Sequence, residues 1–143
     1  MKFRKQSNCV YFCEYHIVLP TKYRRKIFNE GVFAYLEEVL KGIKEYYPEI
    51  DILKINHDVD HIHILVSIPP KLPVGKTIGI IKANTARMLK KKFKYISDTY
   101  WNNDGIWSES YFVSTVGINE SQIKKYIEQQ GQEDLGQAKL ELE

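Results

Sequence analysis

The chain has 143 residues, 43% hydrophobic and 13% aromatic, enough for one soluble globular domain with its own core and too apolar for a disordered segment. No apolar run reaches membrane-span length, and no signal-peptide pattern follows Met1-Lys2-Phe3-Arg4-Lys5-Gln6, so a cytoplasmic protein is expected. The formal charge of +3 is too small to announce nucleic acid by itself; where the charges fall says more.

In chain order, Cys9 to Leu19 is dense in aromatic and β-branched residues and predicts a long first strand. Cys9 and Cys13 lie four apart on it, roughly 13 Å in extended chain, too far for a disulfide, and read as core residues. Lys22, Arg24, Arg25 and Lys26 then form a basic cluster around Tyr23. Val32 to Tyr47 carries Val32, Phe33, Leu36, Val39, Leu40, Ile43 and Tyr47 at helical spacing, and Pro48 ends that helix. Ile50 to Ile55 predicts a second strand, Asn56 to Asp60 a turn, and His61 to Ile68 a third strand closing a hairpin.

Pro69, Pro70 and Pro73 precede a second helix, Val74 to Phe93, with Ile78, Ile81, Thr85 and Met88 on one face. A second basic run, Lys90, Lys91, Lys92 and Lys94, closes it. Gly75-Lys76-Thr77 opens this helix as a phosphate-binding loop would. Such a loop needs glycine five positions earlier, where Pro70 stands, so no nucleotide cofactor is expected. A loop with Tyr95, Tyr100, Trp101 and Trp107 follows, turning at Asp104-Gly105.

Tyr111 to Val116 predicts a fourth strand and Glu120 to Gln130 a last helix. Asn119 caps that helix, Gln122 completes a capping box, Ile118 staples against Ile123, and Gly131 suits the C-terminal cap. Ile123 and Ile127 are its expected buried stripe, with Tyr126 and Gln130 side by side along one edge. The expected organisation is a single domain over residues 1–131 and a polar tail over 132–143.

The fold class is α+β. The order β-α-β-β-α-β is that of a ferredoxin-like or RRM-like antiparallel sheet, here with an extra C-terminal helix. In the third strand, Ile62, Ile64, Val66 and Ile68 point towards the helices. His61, His63, Leu65 and Ser67 point to the face left open. Two histidines two apart on a strand project from one side, about 7 Å apart at their roots, and can converge on one ion. The same pair can equally be solvated surface. Basic residues interleaved with aromatics suit single strands, because cations hold phosphates while rings stack on unpaired bases.

Five segments together resemble the HUH single-tyrosine transposases of small bacterial and archaeal insertion sequences. They are Tyr15-His16-Ile17-Val18 leading into Lys22-Tyr23-Arg24-Arg25; Asp60-His61-Ile62-His63 running on to Pro70; Ile81 to Arg87; Trp107 to Gly117; and Tyr126-Ile127-Glu128-Gln129-Gln130. The resemblance implies a transposase that cleaves and rejoins single-stranded DNA at insertion-sequence ends through a 5′-phosphotyrosine. It implies His61, His63 and Gln130 as ligands of Mg²⁺ or Mn²⁺, with Gln129 a neighbouring amide, and Tyr126 as nucleophile. Hairpin-bearing single strands as partner, nucleoid association on DNA, and a homodimer with sites shared in trans are implied too. Ala83 departs from the glycine the family often carries. Lys22, Arg24, Arg25, Lys82 and Arg87 are the candidate DNA contacts.

The chemistry agrees with these roles. A phenol is a poor nucleophile at neutral pH and needs a polarised phosphate, which a divalent ion with open positions supplies. Two other readings remain open: a non-enzymatic RRM-like single-strand binder, and a domesticated HUH nuclease acting on chromosomal repeats.

Overall fold

The computed structural model describes residues 3–102, 105–118, 121, 123–125 and 127–128. They belong to two compact units, one spanning Cys13–Thr115 and the other comprising residues 1–12 with the segment from Val116 onward.

In the smaller unit, β1 (Arg4–Gln6) and β2 (Cys9–Tyr11) form an antiparallel hairpin. Its turn places Asn8 at φ 59°, in the left-handed region that asparagine tolerates better than most residues. Phe3 and Phe12 meet edge to face, with centroids 6.3 Å apart. Ser121 and residues 123–125 and 127–128 are helical. The buried stripe expected of this helix is not found, since Ile123 and Ile127 are both exposed. Periodicity tells which side chains share a face; it does not supply a surface to cover them. Asn119, Gln122, Tyr126, Gln129, Gln130, Gly131 and the 132–143 tail lie outside the described residues.

The larger unit runs β3 (Glu14–Pro20), α1 (Glu30–Tyr46), β4 (Asp51–His57), β5 (His61–Ser67), α2 (Val74–Lys92), α3 (Lys94–Thr99) and β6 (Phe112–Thr115). The long first strand expected over Cys9 to Leu19 is therefore two strands, parted at Phe12-Cys13. Strand-forming composition continues across the break, but the pairing partner changes from β1 to β5 and β6. Cys9 and Cys13 form no disulfide and are half-buried, not core residues.

Helix α1 starts where Asn29 Oδ1 accepts the Val32 amide at 3.0 Å, satisfying one of the unpaired donors of the first turn. It buries Val32, Leu36, Leu40 and Ile43, and α2 buries Ile78, Ile81, Thr85, Ala86 and Leu89. Met88, expected on the same face, is half-buried. Thr85 donates its hydroxyl to the Ile81 carbonyl at 2.7 Å and accepts the Trp107 indole N–H at 2.8 Å. Two polar groups inside the core are thus paired, which removes a desolvation cost.

Four antiparallel strands lie in the order β4-β5-β3-β6. One face carries Ile17, Leu19, Ile62, Ile64 and Val66, all at most 2% exposed, in a core shared with α1 and α2. β4 runs through His57, which the sequence places in the turn. The His57 ring stacks on Phe33 with centroids 3.9 Å apart. The turn is shorter, Asp58-Val59-Asp60, with Asp58 Oδ1 accepting the Val59 amide. Ser67, expected on the open face, is buried, with no hydrogen-bond partner for its Oγ among the described residues. In the ladder it lies between Glu14 and Asp51, whose longer side chains flank it. That face of β5 is open at its histidine end. Among the described residues no helix is long and apolar enough to cross a membrane.

Candidate active site

β5 is flanked by β4 and β3, so its alternation is pinned from both sides. Burying Ile62 and Ile64 forces His61 and His63 to the opposite face. Across the ladder His63 meets Val18 and Asn56, and His61 meets Pro20. The two imidazole centroids are 4.9 Å apart, and His63 is exposed.

His61 Nδ1 lies 2.8 Å from Asp60 Oδ1, and Arg24 Nε donates to Asp60 Oδ2 at 3.0 Å. The bond to His61, and then that to Arg24, hold the Asp60 carboxyl below its usual pKa. An ionised carboxylate only accepts hydrogen bonds. In the neutral ring the His61 proton therefore sits on Nδ1, leaving the Nε2 lone pair free for a ligand. This is the arrangement a metal-ligating histidine needs, so the residues present fit a divalent ion. No group of three or more His, Cys, Asp or Glu side chains suited to an ion occurs among the described residues.

Arg24 reaches Asp60 because of the turn that follows β3. Thr21 donates its amide to the Asp60 carbonyl at 2.9 Å and its hydroxyl to the Arg25 carbonyl at 2.7 Å. Lys22 donates its amide to Ile106 O at 2.8 Å, and its carbonyl accepts the Tyr100 hydroxyl at 2.8 Å. Held so, Tyr23 (φ 60°) and Arg24 (φ 53°) both adopt left-handed backbone. That costs on the order of 1–3 kcal/mol for each such residue and persists only where surrounding contacts enforce it.

The expected DNA contacts divide into two groups. Lys22, Arg24 and Arg25 sit together on this turn, beside Asp60 and His61. Lys82 and Arg87 project from α2, whose buried side covers the other face of the sheet. Lys82 Nζ donates to Ser108 O at 2.7 Å and lies 5.2 Å from the Tyr111 ring centre. Partial burial lowers its pKa, against the pull of Glu109. Arg87 donates to Asn84 Oδ1 at 2.9 Å and lines a groove of about 600 Å³ between α1 and α2 with Tyr35, Glu38 and Tyr46. No residue of the histidine-bearing face lines that groove. Sequence reasoning missed Asp60 and Arg24 as supports of His61. The available signal was an acidic residue immediately before the histidine pair.

The family described as "Transposase IS200 like" matches residues 9–130. The transposase of insertion sequence element IS200 from Salmonella typhimurium is 36% identical over 122 residues, covering 85% of this chain and 79% of that protein. The ISDra2 transposase TnpA of Deinococcus radiodurans is 28% identical over 131 residues, covering 91% and 92%. Among solved structures, a crystal structure assigned as a transposase of D. radiodurans R1 superposes with a TM-score of 0.69 at 26% identity, covering 89% of this chain and 97% of that one.

Proposed function

Because the chain belongs to the IS200-like transposase family, we propose that it cleaves and rejoins single-stranded DNA at insertion-sequence ends, with Tyr126 as nucleophile and His61, His63 and Gln130 as ligands of Mg²⁺ or Mn²⁺. The observation that carries this reading is the histidine pair, 4.9 Å apart on one strand face, with Asp60 holding His61 so that Nε2 is free.

The Tyr126 oxygen forms a bond to the scissile phosphorus as the bond to the 3′ oxygen breaks. The products are a 5′-phosphotyrosine and a 3′-hydroxyl, the phenolic proton passing by way of solvent to the leaving 3′ oxygen. When bound, a divalent ion supplies Lewis-acid polarisation of the phosphate and offsets charge on the leaving oxygen. Asp60 fixes the His61 tautomer, and Arg24 keeps Asp60 in place. A 3′-hydroxyl attacking the phosphotyrosine reverses the step and needs no nucleotide triphosphate.

Hairpin-bearing single strands are the proposed substrate, with Lys22, Arg24, Arg25, Lys82 and Arg87 binding phosphates. Replacing any one of these cations with alanine should flatten the dependence of log affinity on log salt by roughly 0.7. Two copies form the working unit, each histidine pair completed by Tyr126 of the other. Mixed dimers of Tyr126→Phe and His61→Ala/His63→Ala protein then regain cleavage that neither variant has alone.

The deciding experiment incubates the protein with single-stranded element ends and Mn²⁺ and looks for a covalent protein–DNA band. The band is expected from the wild type and not from Tyr126→Phe. No band from the wild type, or one that persists in the variant, overturns the assignment.

A further inference from the structure

We propose that Tyr23 is a stacking platform for the unpaired base next to the phosphate that His61 and His63 serve, an inference that rests on the active-site reading above. Tyr23 is 70% exposed, and its side chain makes no hydrogen bond or ring contact among the described residues. Nothing in the packing of these residues asks for an aromatic side chain here. Its backbone is left-handed at φ 60°, where glycine or asparagine is the residue that folding alone would favour. A large ring kept in strained backbone and turned to solvent points to something the ring binds.

The turn fixes the backbone that carries the ring. Thr21 is bonded to Asp60 and Arg25, Lys22 to Ile106 and Tyr100, and Arg24 to Asp60. The ring is therefore mounted on a fixed support and meets its ligand without first ordering a loop.

The chemistry around the ring identifies the ligand. Arg24, Arg25 and Lys26 are exposed beside it. Arg24 engages Asp60 through Nε, leaving its terminal guanidinium nitrogens for an anion. Cations for phosphates together with a flat ring for a base face match a single strand, since paired strands hide their base faces. Proximity fixes which base. Pro20 is the ladder partner of His61, and three residues of chain reach at most about 11 Å from there to Tyr23. The same Asp60 carboxylate that supports His61 also anchors Arg24, so the base platform and the histidine pair share one mount.

The test uses the full chain in excess chelator, so that binding is read without cleavage. Oligonucleotides of the single-stranded element end carry 2-aminopurine in place of one base at a time. Wild type and Tyr23→Phe should quench the fluorescence at one position beside the scissile phosphate. Tyr23→Asn keeps a residue suited to the left-handed turn and removes the ring. It should lose that quenching and bind about tenfold more weakly or worse, with no fall in melting temperature. Quenching and Kd within twofold of wild type in Tyr23→Asn overturn the proposal. So does equal weakening of Tyr23→Asn and Tyr23→Phe, which assigns the effect to the hydroxyl. The active-site reading is judged separately, by the covalent band of the wild type in Mn²⁺. Failure there leaves the quenching result to decide Tyr23 alone.

Discussion

The two faces of β5 carry alternate residues of one heptapeptide and obey different rules. Ile62, Ile64 and Val66 are at most 2% exposed and are held by close packing, where an approximately correct shape and apolar chemistry suffice. On the other face, His61 is held by one carboxylate, itself held by one guanidinium, and His63 stands exposed. The first face is over-determined by many weak interactions. The second depends on a few directed ones, each with a distinct consequence when removed. Stability and chemistry are thus separable on a single strand by a shift of one residue.

The two faces should differ most sharply at His63. Replacing this exposed side chain with alanine should leave stability within about 0.5 kcal/mol, while cleavage of single-stranded ends falls by several orders of magnitude. Denaturant unfolding and a cleavage assay on one preparation check both halves. A His63→Ala protein as destabilised as a core variant would erase the distinction between the faces. The converse is Ile64→Ala, which should cost about 2–5 kcal/mol in the same unfolding experiment. Its Mn²⁺ affinity, measured below the unfolding transition, should stay close to wild type.

Asp60→Ala tests the directed interactions. Without this support, Mn²⁺ binding should weaken by about 10–100-fold in calorimetry, and unchanged affinity would mean His61 is oriented by the strand alone. The smallest effect is expected at Tyr100, a core residue that anchors the turn near the site. Tyr100→Phe should cost about 1 kcal/mol by removing the hydrogen bond to the Lys22 carbonyl. Burial raises the Tyr100 pKa, against smaller opposing effects of Thr21 and Arg25. A raised folded pKa means its stabilising share is complete below pH 10, the ordinary phenol value. That share disappears as pH rises through the folded value, because the unfolded phenol ionises first. Alkaline unfolding should accordingly be shallower in Tyr100→Phe, with Tyr15 and Tyr95, also raised by burial, supplying the rest of the slope.

Much of this architecture is legible in the sequence because burial writes itself as periodicity. The helix expected around Val32, Leu36, Leu40 and Ile43 matches α1 within two residues of each observed end, and the strand expected around Ile62, Ile64 and Val66 matches β5 within one. Three features escape that signal. The break at Phe12-Cys13 falls inside a continuous strand-forming run, and only the identity of the pairing partner changes there. α3 is six residues long and its N-cap residue, Phe93, makes no side-chain capping bond, so neither length nor capping chemistry announces it. The left-handed backbone at Tyr23 and Arg24 is enforced by Thr21, Asp60 and Tyr100, and carries none of the usual glycine or asparagine markers. In the site, the shared face of His61 and His63 follows from alternation. The Arg24–Asp60 bond spans 36 positions and follows from no local pattern.

The interior place of β5 in the sheet has a consequence for how the molecule breathes. Edge strands fray at little cost, but a strand paired on both sides and roofed by helices exchanges its amide hydrogens chiefly when the whole unit opens. The backbone amides of His61 and His63 should be among the last to take up deuterium. The spacing of the histidine pair would then survive every lesser fluctuation, and warming should abolish it together with the fold rather than before it.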